Sequence, residues 1–177
     1  MVTASSKQLA SSIEKNTEIS INHQKLIDAT IETIAKRGLG DTTISHVAKQ
    51  AKVSQGYANF RFKSKENLLL SSLQFLSDEY KKSWQKIFED EHLDPVDRLL
   101  KICENDFSKK IANRNKISVW IAFYSEVKFR PSYLSVCQKQ DDIYLQQMEK
   151  LIDEINTKAN QKSLSAIEIS ESYHSMV

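Results

Sequence analysis

Between Thr42 and Leu69 the chain reads TTISHVAKQAKVSQGYANFRFKSKENLL, which packs hydroxyls (Thr42, Thr43, Ser45, Ser54), aromatics (Tyr57, Phe60) and cations (Lys49, Lys52, Arg61, Lys63, Lys65) into one short unit. Hydroxyls at helix starts bring a side-chain donor and backbone N–H groups to the place where a phosphate binds, and neighbouring cations neutralise it. Outward amide and aromatic side chains suit base edges and sugars. The chemistry on offer is polyanion recognition. No nucleophile triad, phosphate loop or HExxH motif accompanies it, so no catalytic residue is assigned. Two ExxH pairs, Glu89 with His92 and Glu171 with His174, have the spacing of di-iron carboxylate bundles, which also need two further Glu on facing helices. "EDEHLDP" falls at a helix end, a poor place for a bundle-core ligand, so no metal or other cofactor is expected.

The elements that must position the recognition residues follow from apolar spacing. Ile27, Ile31, Ile34 and Ala35 form a helical stripe over about 22–37, with Gly38 available as a left-handed cap. Thr42 or Thr43 can cap a two-turn helix carrying Ile44, Val47, Ala48 and Ala51 inward. Ser54 caps another, in which Ala58 and Phe62 face inward with Val53 while Gln55, Tyr57, Asn59 and Phe60 point elsewhere. Two short helices joined by a tight turn form a helix-turn-helix whose second member can enter a major groove. Gly56, lacking a side chain, would let the backbone approach DNA closely.

Beyond Ser64 the spacing predicts a long helix over 65–90 along Leu69, Leu73, Leu76, Tyr80, Trp84 and Ile87. Asp94 and Pro95 open the next, with Val96, Leu99, Leu100, Cys103, Phe107 and Ile111 on its inner face. Residues 116–128 carry two apolar stripes and are expected to be buried nearly all round. Another long helix is expected over 132–158. "SLSAIE" begins a further helix at Ser165, and the chain stops soon after, as a chain cut short would.

The 177 residues, with Gly three times and Pro twice, suit an all-α chain of one domain or one domain plus an appendage. The Ser-rich residues 1–20 read as a mobile arm, 21–68 as the DNA-binding unit, and 69–177 as an incomplete helical domain. No apolar run approaches a membrane span and the N-terminus lacks a secretory signal, so a soluble, cytoplasmic protein is expected. Cys103 and Cys137 read as reduced, half-buried thiols. The net charge of +2 hides an asymmetry: residues 22–70 hold eight Lys/Arg against four acids, and the remainder 17 against 19. A basic end suits a polyanion partner. A helical adaptor that binds only protein would explain the bundle but not this basic end.

The 42–69 stretch resembles the DNA-binding signature of the TetR family of bacterial repressors at Thr42, Thr43, Val47, Ala48, Ala51, Val53, Ser54, Gly56, Phe62, Ser64, Lys65 and Leu68. "VWIAFYSEVKFRPSY" is similar to the matching segment of the betaine-inhibitor (BetI) subgroup, which responds to choline. The resemblance implies a three-helix DNA-binding domain, a larger helical ligand-binding domain, and a homodimer on a palindromic operator. It places Thr43 on a phosphate, Ser45 at the groove edge, Ser54, Gln55, Tyr57 and Asn59 on bases or sugars, and Lys65 on the DNA backbone. The family's turn Gly is Lys52 here, and its Tyr-His-Tyr is Asn59, Phe60 and Arg61. Asn59 offers an amide for adenine and Arg61 a phosphate fork.

The implied effector is choline, and an aromatic cage for it would draw on Trp120, Phe123, Tyr124, Phe129 and Tyr133, with Glu126 to balance charge. Core packing is the competing account of the same aromatics. A repressor of an unrelated operon with a hydrophobic or cationic effector is the alternative, and a di-iron bundle enzyme a distant one.

Overall fold

The computed structural model describes the backbone of residues 4–159 and the side chains of residues 20–159. Among the described residues every regular element is a helix: α1 (Ala4–Asp41), α2 (Ile44–Ala51), α3 (Gln55–Phe62), α4 (Lys65–Phe88), α5 (Pro95–Asp106), α6 (Arg114–Tyr124) and α7 (Pro131–Ala159). The helix expected from Ser165 lies outside the described residues.

α1 begins at Ala4 rather than near Asn22, its helical backbone continuing through the segment read as an arm. Gly38 interrupts it with φ 78 and ψ 171. The positive φ is as expected, but the ψ is not that of a left-handed cap. This region of backbone space is open essentially to glycine alone. Past the kink, the Thr42 hydroxyl donates to the Gly38 carbonyl at 2.7 Å.

One core joins Leu26, Ile27 and Ile34 of α1 to Val47, Ala48, Ala58 and Phe62 of the short helices. It continues through Leu68, Leu69, Leu73 and Leu76 of α4 to Val119, Phe123, Tyr133 and Cys137 of α6 and α7. Trp84, Phe88, Ile102, Tyr144 and Leu151 form a second core where α4, α5 and α7 meet. α4 runs through both, and at 1.5 Å per residue its 24 residues span about 36 Å. The buried hydroxyls of Thr30, Thr33 and Ser72 each bond a carbonyl one turn back on their own helix, so the cores need no polar partner for them.

Two expected faces are corrected. α5 buries Arg98 and Ile102, while Val96, Leu100, Cys103 and Phe107 are exposed, Phe107 to 85%. The helix carries two apolar stripes, and the one containing Leu99 and Ile102 packs on α4 and α7. α6 is not buried all round: Val119 and Phe123 are buried, but Ile117 and Ile121 lie on its open side, with Ile121 64% exposed. The cysteines also differ from each other, Cys103 being exposed and Cys137 buried. Burial, with Asp141 nearby, pushes the Cys137 thiol up to about 12.

Candidate nucleic-acid interface

Both short helices are capped as their sequence requires. Thr43 is extended (φ −126, ψ 157) and its hydroxyl accepts from the His46 N–H at 3.1 Å, while the His46 ring reaches the Asp41 carbonyl at 3.0 Å. Ser54 repeats the device on α3, accepting from the Tyr57 N–H at 3.1 Å. Val47, Ala48, Ala58 and Phe62 then lock the pair onto α1 and α4. What remains outward on α2 and α3 is fixed by that anchoring.

Thr43, Ser45, Ser54, Gln55, Gly56, Asn59, Phe60 and Arg61 are exposed, Phe60 to 82%. So open an aromatic on so short a helix suits contact with a thymine methyl group in a groove. Tyr57 departs from the expected outward position, since it is half-buried and packs against the core. A Cβ built on Gly56 would meet nothing within 4 Å. The absence of a side chain there is thus not imposed by the chain's own packing. Lys65 donates to the Gly40 carbonyl at 2.6 Å, which ties the first turn of α4 to the end of α1.

Two residues between the helices sit at positive φ. Lys52 is left-handed (φ 56, ψ 39), and the following Val53 N–H donates to the Ala48 carbonyl at 3.0 Å, closing α2 tightly although the residue is not glycine. Lys63 has φ 64 and ψ −34, and the Ser64 N–H reaches the Phe62 carbonyl at 2.7 Å across it. That is a γ-turn of the rarer, strained hand. Lys52 and Lys63 are both exposed, adding two cations beside α3.

A contact that sequence reasoning missed ties α3 to α1. Arg61 Nε donates to His23 Nδ1 at 3.2 Å, and the His23 ring stacks on Phe62 with centroids 5.3 Å apart. Burial, then the Arg61 charge, holds the imidazole below its ordinary 6.5. No local signal marks His23, because its partner lies 38 residues away in the chain.

Farther along, Glu66 accepts from Arg130 at 2.9 Å and from the Tyr133 hydroxyl at 3.3 Å, while Glu126 accepts from Arg130 at 3.2 Å. Burial and the Glu66 charge push the Tyr133 hydroxyl up to about 12. These residues line a hollow of about 430 Å³ with Leu39, Gly40 and Ser64. The first turn of α4 is therefore held from α1 on one side and from the α6–α7 junction on the other.

The aromatics expected to form a cage do not converge. Phe123 and Tyr133 are buried edge to face at 5.1 Å, Trp120 and Tyr124 tilt together at 6.0 Å, and Phe129 is exposed. Tyr124 donates to Asp141 at 2.8 Å, and Glu126 is already paired with Arg130. The rings that do converge are Tyr80, Trp84, Phe88 and Tyr144, with centroid separations of 5.5–6.4 Å. They gather beside Asp106, which accepts from Tyr144 at 2.7 Å and from Tyr80 and Asn105 at 3.2 Å. Burial raises the Asp106 carboxyl despite those bonds. No cation pairs with it among the described residues, and the buried Trp84 Nε1 lacks an acceptor.

Glu89 caps the end of α4 and His92 lies in the exposed turn beyond, while Glu171 and His174 fall outside the described residues. Among the described residues no three His, Cys, Asp or Glu side chains gather as metal ligands would. None of the described helices is long and apolar enough to cross a membrane.

Residues 26–71 match the family described as "Bacterial regulatory proteins, tetR family". The HTH-type transcriptional regulator BetI of Stenotrophomonas maltophilia is 29% identical over 122 residues, covering 69% of this chain and 62% of the relative. BetI 1 of Chromohalobacter salexigens is 30% identical over 125 residues, covering 71% and 61%. The chain thus spans under two thirds of the length of these relatives. In three dimensions it is similar to a TetR transcription regulator from Haloarcula marismortui, with TM-score 0.75 and 18% identity over 86% of this chain and 80% of the other. It is also similar to a putative regulator from Saccharomonospora viridis in complex with choline, with TM-score 0.73 and 19% identity over 86% and 79%. Both likenesses are of fold. With the capped α2–α3 pair lying at the matched positions, residues 26–71 form the region of this chain that matches the tetR family of bacterial regulatory proteins.

Proposed function

We propose that the chain is a DNA-binding transcriptional repressor that acts as a homodimer on a palindromic operator and releases it when a small cationic effector binds. In this reading residues 21–68 hold the DNA and 69–177 hold the effector and the partner subunit. The observation that carries it is the α2–α3 unit, whose buried side locks onto α1 and α4 while Ser45, Gln55, Asn59, Phe60 and Arg61 stand in solvent. Such an exposed polar and basic face on a rigid helix pair is what a major groove accepts.

Choline is the effector favoured by the likeness to BetI regulators. Of the two aromatic groups, the Tyr80–Trp84–Phe88–Tyr144 cluster suits it better than Trp120, Phe123, Tyr124 and Glu126. Asp106 has only neutral donors around it, whereas Glu126 is already paired with Arg130. An ammonium among those rings would supply the missing charge and gain cation–π attraction. The rings touch one another in this structure, so an occupant must spread α4 from α5 and α7. Because α4 is one rod whose first turn is braced by Gly40 and Arg130, spreading its far end would swing the braced turn and α3 with it. Recognition helices that no longer match adjacent grooves would leave the operator.

The test is fluorescence anisotropy with a duplex from upstream of the protein's own reading frame, titrated with and without choline. The reading requires tighter binding than to a shuffled duplex, weakened by choline in the wild type and unaffected by it in Asp106→Asn. Equal affinity for both duplexes would remove it.

A further inference from the structure

We infer that His23 is a positioning residue of the DNA interface: it fixes the Arg61 guanidinium from behind, so that the rest of the fork is presented to a phosphate. The inference rests on the DNA-binding reading and adds a residue of α1, outside the helix-turn-helix, to the machinery.

The geometry gives each group one task. Arg61 stands in the last turn of α3, where its charge also complements the negative end of the helix dipole. Its Nε–H is spent on His23 Nδ1 at 3.2 Å, and among the described residues the guanidinium has no other partner. The two terminal amino groups, the half of the fork that makes parallel bonds to a phosphate, are therefore open. The imidazole is immobilised by stacking on Phe62 at 5.3 Å with the planes 22° apart, and Phe62 is buried in the core. A chain of contacts thus runs from the core through an aromatic ring to the guanidinium. Without it, a long exposed side chain must lose its rotamer freedom when DNA binds, and affinity falls by that amount. His23 can accept only when its Nδ1 is unprotonated, and partial burial beside a cation favours that form.

The experiment is a double-mutant cycle on operator and shuffled duplexes, using full-length wild type, His23→Ala, His23→Asn, Arg61→Ala and the His23→Ala/Arg61→Ala double variant. Thermal melts verify that each variant is folded. Asparagine places its side-chain oxygen near the position of Nδ1 and so retains the acceptor. Loss of one ordered hydrogen bond predicts roughly 3- to 10-fold weaker binding for His23→Ala. His23→Asn stays within about twofold of wild type, and His23→Ala has no further effect once Arg61 is alanine. Arg61→Ala flattens the slope of log affinity against log salt by about 0.9, as for one phosphate contact. Equal losses from His23→Ala with and without Arg61 would overturn the inference, as would His23→Asn behaving like His23→Ala. Because a phosphate contact is blind to sequence, the cycle remains readable on shuffled DNA if operator preference alone fails. Wild type that binds neither duplex sinks the DNA-binding reading itself, before any variant is compared.

Discussion

Replacing Lys52 with glycine makes the fold more stable, although it removes four methylenes and a charge. Lys52 closes α2 in the left-handed conformation at φ 56 and ψ 39. There a Cβ crowds the following carbonyl, at about 1–2 kcal/mol for a non-glycine residue. The side chain is exposed and makes no hydrogen bond or ion pair among the described residues, so little is lost with it. Glycine's greater freedom in the unfolded chain takes back about 0.4–1 kcal/mol. The net gain is about 0.5–1 kcal/mol, which raises the melting temperature by roughly 1–4 °C in a chain of this size. Lys52→Ala is the control, since it loses the same charge but keeps the Cβ, and it stays within about 0.5 kcal/mol of wild type. Urea and thermal melts at one protein concentration separate the two variants. Coincident melting of Lys52→Gly and Lys52→Ala would show that the backbone here stores no strain, and the account of the turn would be wrong.

Gly56→Ala, with open space around the added methyl, stabilises α3 by about 0.5–1 kcal/mol; under the proposed DNA-binding function, in which the backbone approaches DNA here, the same variant weakens operator binding in anisotropy. Asp106 has a folded-state pKa above its ordinary 3.8 through burial, so the folded state holds that proton more tightly than the unfolded one. Its contribution to stability falls as pH rises from about 3.8 until the buried carboxyl has ionised, and urea melts of Asp106→Asn across that range show a flatter profile than wild type. His23 is shifted the other way: its folded pKa lies below 6.5, so its contribution is present above 6.5 and is lost as pH falls through the lower folded value. Melts of His23→Asn between pH 7 and 5 show less acid sensitivity than wild type, and an unchanged slope would contradict the assignment of burial and Arg61 as the cause.

The caps and short helices were the most legible part of the chain, because Thr43, Ser54, Ser64 and Asp94 each act on a backbone N–H within three residues. Local chemistry needs no knowledge of the fold. The stripe along α4 was equally readable, since Leu69, Leu73, Leu76 and Trp84 are buried as their spacing implies. α5 and α6 misled for one reason: each bears more apolar surface than one neighbour can cover, and periodicity cannot say which stripe is chosen. In α5 the choice falls with Arg98, which donates to the Phe88 carbonyl at 3.1 Å and pairs with Glu154 of α7. That long-range anchoring turns Ile102 inward and leaves Leu100 and Phe107 outside.

The recognition face divides along the same line. Ser45, Gln55, Asn59 and Arg61 are outward because Val47, Ala48, Ala58 and Phe62 are inward, and that follows from helical period alone. The same period puts Tyr57 outward, but its large ring reaches back to the core and is half-buried there. The His23–Arg61 bond and the ring cluster around Asp106 join residues 38 apart in the first case and three different helices in the second. Tertiary packing brings them together, so neither has a local pattern to read. Trp120, Phe123, Tyr124 and Tyr133 lie near one another in sequence for the opposite reason: they pack α6 and the start of α7 onto the first core, while Phe129 between the two helices stays exposed.

The most direct test of the central claim is hydroxyl-radical footprinting of the upstream duplex with the full-length protein. Two recognition helices on a two-fold axis predict two protected patches with centres about one helical turn, or 34–36 Å, apart, both disappearing when Arg61→Ala and Asn59→Ala are combined. Uniform protection that ignores sequence, or the same two patches persisting in the double variant, would contradict the assignment of α3 as the element that reads DNA.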